Sequence, residues 1–124
     1  MLIINNFKLI LSKIRVAQQN KKKILKLNIF DNDLIILDIL WKKGFIYGYN
    51  KTKNGYIVFL KYSLQGFGVL ESLIFLNSKL TKKELKTLLM LDSNFSYLVL
   101  TYKGIGIYSL VSTIEHGGKI IAKF

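Results

Sequence analysis

Apolar positions along the first twenty residues follow a helical rhythm. Ile3, Ile4, Phe7, Ile10, Leu11 and Ile14 recur at spacings of three and four, which predicts one buried stripe on an amphipathic helix. Lys8, Ser12, Arg15 and Gln19 recur at a similar spacing and form a polar, basic face. Lys21-Lys22-Lys23 follows at the helix end, where cations also suit the helix dipole. Leu25-Lys26-Leu27-Asn28-Ile29 alternates with period two and predicts a strand. Asp31-Asn32-Asp33 offers N-caps to a second helix over 34–41. That helix is apolar nearly all round, so Trp41 is expected as a core anchor, and Lys42, Lys43 and Gly44 form its stop. Residues 45–49 and 56–62 predict two strands joined by a polar turn ending in Asn54-Gly55. The order helix, strand, helix, strand, strand is an α+β module.

The second half reads as mainly β with short helices. Gly66-Phe67-Gly68 reads as a loop; as a phosphate cradle it lacks the third glycine and the βαβ setting. Residues 69–76 predict a strand. Thr81 and Glu84 have capping-box spacing and open a short helix with Leu85, Leu88 and Leu89 inward; Asp92-Ser93-Asn94 ends it. Residues 95–102 predict a strand closed by Lys103-Gly104. The interval 105–116 has room for one or two helical turns near residues 109–114. Gly117-Gly118 is a turn, and 119–124 a final strand. A seam between modules is expected near residues 63–77.

Composition narrows the function. The 124 residues carry nineteen Lys and Arg against seven Asp and Glu, a net charge of +12. Such a charge repels itself in a compact domain unless a polyanion sits against it. Cysteine is absent, which excludes a disulfide framework, thiol catalysis and cysteine-based metal sites. One histidine, His116, and seven carboxylates make neither a metal set nor a catalytic triad. No catalytic residue, cofactor or metal site is expected, nor a small-molecule substrate. No signal peptide, imported presequence or membrane-length apolar run is evident, so the chain reads as soluble and made where it works. Arg15 is the only arginine and Ala occurs only at 17 and 122, a drift toward A+T-rich codons seen in organelle and reduced bacterial genomes.

What remains is lysine along the whole chain, interleaved with fifteen tyrosines and phenylalanines. Lysine neutralises phosphates and releases counterions, and aromatic rings stack on unpaired bases. Most of these rings fall in apolar strands, where core packing is their default role. Tyr102, at a strand end between Thr101 and Lys103, is the exception.

Several stretches resemble the universal S-eight family of small-subunit ribosomal proteins. Leu11-Ser12-Lys13-Ile14-Arg15-Val16-Ala17 is similar to that family's first-helix motif, Leu-Thr-Arg-Ile-Arg-Asn-Ala, with Lys13 and Val16 as departures. Residues 37–46, ending Lys42-Lys43-Gly44-Phe45-Ile46, resemble its second helix and following strand. Leu60-Lys61-Tyr62 and Val69-Leu70-Glu71-Ser72-Leu73 also have counterparts. The family's Ser-Thr-Ser-Lys-Gly loop has two placements here, Ser112-Thr113 and Leu100-Thr101-Tyr102-Lys103-Gly104. The second is preferred, because it leaves a helix-sized interval before Gly117-Gly118-Lys119-Ile120-Ile121, which resembles the family's terminal strand. Either placement has lost serines. The segment 77–83 is short and lacks the family's Pro-Gly and Arg-x-Tyr strand, so a basic edge is expected to be missing.

The resemblance implies an N-terminal α-β-α-β-β rRNA-binding module over 1–65 and a smaller, mainly β rRNA-binding module over 66–124. It implies a structural constituent of the small ribosomal subunit that binds the central domain of small-subunit rRNA, beside neighbouring small-subunit proteins, and supports its folding and assembly. RNA contacts would come from Lys8, Ser12, Lys13, Arg15, Gln19, Lys21, Lys22 and Lys23, and from Thr101, Tyr102, Lys103 and Gly104, with Lys13 and Arg15 exposed. With the codon bias, it implies an organelle-encoded protein of the mitochondrial ribosome; a plastid or a bacterial cytoplasm is the alternative. Two other classes stay open: a basic protein on anionic lipid or on a non-ribosomal RNA, and a small metal-dependent nuclease around Asp31 and Asp33.

Overall fold

The computed structural model describes residues 2–29 and 33–124, with side chains from Asn6 onward. The Ile3 and Ile4 side chains expected in the apolar stripe, and Asp31 and Asn32 expected as caps, lie outside what is described. The chain is mixed α and β and falls into two compact units, residues 1–72 and 73–124.

The first unit follows the expected α-β-α-β-β order: α1 (Leu2–Gln19), β1 (Ile24–Leu27), α2 (Leu34–Lys42), β2 (Ile46–Thr52) and β3 (Gly55–Leu60). The three strands form an antiparallel sheet in the order β1-β3-β2. Helical spacing buries Phe7, Ile10, Leu11, Ile14 and Ala17 on α1, and Ile36, Leu37 and Leu40 on α2. Alternation buries Tyr56, Val58 and Leu60 on β3. Trp41 departs from the expected anchor role. It is half exposed, because the buried stripe of α2 runs through 36, 37 and 40 and turns position 41 outward.

Tyr49 on β2 donates its hydroxyl to Asp38 on α2 and meets the Tyr56 ring edge-on. That hydrogen bond, with burial second, pushes the Tyr49 phenol up to about 12. A raised phenol favours the neutral form in the folded state. Its contribution is therefore intact below about pH 10 and lost as pH climbs toward 12. Stability measured across that window should fall, and less steeply in Asp38→Asn.

Residues 66–72, expected at the head of the second module, belong to the first unit. The strand expected over 69–76 starts later, at Ile74. The backbone N–H of Leu70 donates to the Gln18 side chain (3.0 Å) and that of Glu71 closes a turn onto Gly68, so neither enters a ladder.

The second unit contains β4 (Ile74–Leu80), α3 (Lys82–Leu91), β5 (Tyr97–Thr101), β6 (Gly104–Tyr108) and β7 (Gly118–Lys123). Its antiparallel sheet runs β4-β7-β5-β6. Leu85, Leu89, Tyr97, Val99, Ile114 and Ile120 form its core. The interval 105–116 corrects the expectation of helical turns. Its first half pairs with β5 as β6, and the rest holds a tight turn closed by the Ser112 N–H on the Ser109 carbonyl.

The capping box is present. Thr81 Oγ1 accepts from Glu84 N (3.2 Å), and Glu84 Oε1 accepts from Thr81 N (3.1 Å). Thr81→Ala should cost about 1 kcal/mol, read as a lower denaturation midpoint. Among the described residues no helix is long and apolar enough to cross a membrane.

Candidate nucleic-acid interface

The outer face of α1 is rotated by about one residue from the face read in the sequence. Lys13 and Gln19 are exposed, whereas Lys8, Ser12 and Arg15 are half-buried. Arg15 therefore corrects the expectation of full exposure. Gln18, one turn beyond it, is wholly buried, and this widens the covered arc on the Arg15 side. The outermost stripe is Leu9, Lys13, Val16 and Asn20, with Leu9 55% and Val16 50% exposed. Ser12, Lys13, Val16, Asn20 and Lys22 line a concavity of about 330 Å³ whose floor includes Ala17 and Leu25. Two cations thus border an apolar-floored hollow. Val16, Asn20 and Leu25 were not singled out as site residues, although the i, i+3 spacing of Lys13 and Val16 signals their shared face.

The three lysines after α1 do different things. Lys21 adopts a left-handed backbone (φ +56°). The Lys22 N–H returns to the Ala17 carbonyl and the Lys21 N–H to the Gln18 carbonyl, a Schellman ending with lysine where glycine is usual. The Lys21 ammonium then reaches across to the Gly66 carbonyl (2.9 Å) and the Glu71 carboxylate (2.5 Å). It also lies 5.1 Å from the Phe67 ring centroid. Tyr62 donates its hydroxyl to the Lys22 carbonyl. Burial pushes that phenol up, with Lys21 pulling the other way and Glu71 adding to the rise. The Gly66-Phe67-Gly68 loop is thus a receptor for Lys21.

Lys22 and Lys23 are exposed. Lys21→Ala should lower stability and leave RNA affinity near wild type, whereas Lys22→Ala should weaken RNA binding up to about tenfold; nitrocellulose filter binding separates the two.

The second candidate surface is a hairpin tip. Thr101 pairs with Gly104, leaving Tyr102 and Lys103 at the turn between β5 and β6. The Thr101 hydroxyl is engaged within the turn, donating to the Gly104 carbonyl (3.1 Å) and accepting from Lys103 N (3.2 Å). It shapes the loop and is not turned toward a ligand. Tyr102 is 77% exposed; its hydroxyl lies 3.1 Å from His116 Nε2, and the two rings meet edge-on at 4.6 Å. Lys103 lies 3.8 Å from Glu115. Both pairs are solvent-exposed, so the lysine remains available to a stronger anion. The alternative segment, Ser112-Thr113, sits at the end of the turn where Ser112 Oγ accepts from Ser109 N (2.9 Å).

Sequence reading also missed exposed rings elsewhere. Tyr47 is 67% exposed with the Lys61 ammonium 5.6 Å from its centroid. Among the described residues no cluster of three or more metal-ligating side chains occurs. No protein-family model and no curated protein matches this chain.

Proposed function

We propose that this chain is a structural rRNA-binding protein of the small ribosomal subunit, acting on the central domain and not as an enzyme. One observation supports this reading above the rest. On a chain of net charge +12, Lys13 and Lys22 border a shallow hollow on α1, and Tyr102 and Lys103 project from a braced hairpin tip. Folded RNA presents phosphates, ribose hydroxyls and a shallow minor groove, and is recognised largely by shape. Shaped basic surfaces of this kind suit that target better than a catalytic cleft does. The resemblance at residues 11–17 and 37–46 supplies the ribosomal setting. The codon bias supplies the mitochondrial, organelle-encoded one.

The test is retention of a central-domain rRNA fragment from the same genome across a salt series. Tight binding at low salt with a steep loss of affinity as salt rises supports the reading. Absence of binding at low salt contradicts it.

A second reading, attachment to anionic lipid, is favoured by Leu9 and Val16 standing exposed beside Lys13. Flotation with anionic vesicles in the absence of RNA discriminates between the two.

A further inference from the structure

We propose that a concavity at the end of the first sheet takes one unstacked nucleotide of RNA, its phosphate held by Lys26 and Lys53. The proposal rests on the RNA-binding reading and assigns a surface that reading does not use. The cavity, about 510 Å³, lies between the exit of β1 and the tip of the β2–β3 hairpin. Ligand clefts of about 300–1,000 Å³ are the usual size for groups such as a nucleotide, and a duplex does not enter one.

Its wall is made by backbone. Leu27 pairs with Tyr56, and Thr52 with Gly55. Gly55 has φ +149°, and a Cβ there would lie 2.1 Å from the Leu27 carbonyl oxygen and 3.0 Å from Asn28 Cα. The hairpin tip and the β1 exit therefore touch main chain to main chain, which fixes the mouth of the cavity. A side chain at 55 would push the two apart.

The lining chemistry is one-sided. Among the described residues that line it, the charged ones are Lys26 and Lys53, and none is a carboxylate. Among the described residues neither lysine is in an ion pair. Asn28, Thr52 and Asn54 contribute amides and a hydroxyl, which both donate and accept, as base edges and the ribose 2′-hydroxyl require. Of the apolar lining Leu27 and Tyr56 are buried, and Ile57, half-buried and paired with Lys26, gives the surface on which a base face rests. Two cations for a phosphate, mixed donors and acceptors, and an apolar floor in one nucleotide-sized hollow match a splayed-out nucleotide from a loop or bulge.

The test compares wild type with Lys26→Ala/Lys53→Ala. Both side chains are exposed, so the variant should fold normally, checked by circular dichroism. With central-domain rRNA the salt slope should fall by about 0.7 to 0.9, the counterion of the one phosphate that the two lysines share. A thiouridine-labelled RNA should crosslink to the peptides holding residues 26–28 or 52–57. An unchanged slope with no crosslink there, while wild type binds the rRNA, overturns the pocket and leaves the ribosomal reading standing. If wild type does not bind central-domain rRNA, that reading falls and the pocket is judged by crosslinking a short single-stranded RNA alone. A crosslink at the named peptides supports the pocket, and its absence overturns it. Full displacement of that RNA by uridine monophosphate at equal nucleotide concentration identifies a free-nucleotide site and overturns the RNA assignment.

Discussion

Gln18→Ala is expected to destabilise the first unit by about 2–4 kcal/mol. Gln18 is wholly buried, one of the few polar side chains in the core. Its Nε2 donates to the Lys61 carbonyl (3.1 Å), and its Oε1 accepts from the buried Leu70 N–H (3.0 Å). Truncation leaves that N–H without its acceptor, a cost of about 1–3 kcal/mol, and strands the part-buried carbonyl as well. It also opens a void beside Gly68, where a Cβ would otherwise stand 2.3 Å from the Gln18 carboxamide carbon. Gly68→Ala should therefore be destabilising for the converse reason, overpacking. Trp41 is the only tryptophan and lies in the first unit, so its fluorescence during urea unfolding reports on this loss. A midpoint within error of wild type would show that the loop does not depend on Gln18.

The second large effect concerns RNA. Lys13→Ala/Lys22→Ala/Lys103→Ala should lower affinity for central-domain rRNA by about 100-fold at moderate salt and reduce the salt slope by about 2 to 2.7. Lys13 and Lys22 border the α1 hollow, and Lys103 stands at the hairpin tip with only an exposed 3.8 Å contact to Glu115. None of the three is buried, so folding should be preserved. Lys21→Ala is the matched control, because its ammonium is clasped by Gly66 and Glu71. Equal losses for the triple variant and the control would mean that the effect is structural.

Much of the fold was legible because local signals were strong. The α1 stripe, the Gly44 stop, the 46–60 hairpin and the capping box at Thr81 each rest on neighbours in sequence, and each appears. The parts that were not legible depend on partners far along the chain. Residues 69–72 have strand-like composition, yet Gln18 and Lys21, some fifty residues upstream, hold them in turns. The start of the interval 105–116 pairs as β6, through Tyr108, because β5 offers an open edge. Arg15 is half-buried, one turn before the wholly buried Gln18. In the candidate site, residue type was readable but availability was not. Lys21 reads like its two neighbours until its left-handed backbone turns it onto Glu71, and the Thr101 hydroxyl is occupied by its own turn. The Lys26–Lys53 pocket joins residues 27 positions apart, which no local pattern signals.

The most direct measurement is sedimentation of the native protein from an extract of its source on a density gradient. A structural component of the small subunit travels with small-subunit rRNA and with whole ribosomes, and ribonuclease shifts it to the top. Recovery at the top before ribonuclease treatment, with none in the small-subunit fractions, contradicts the account.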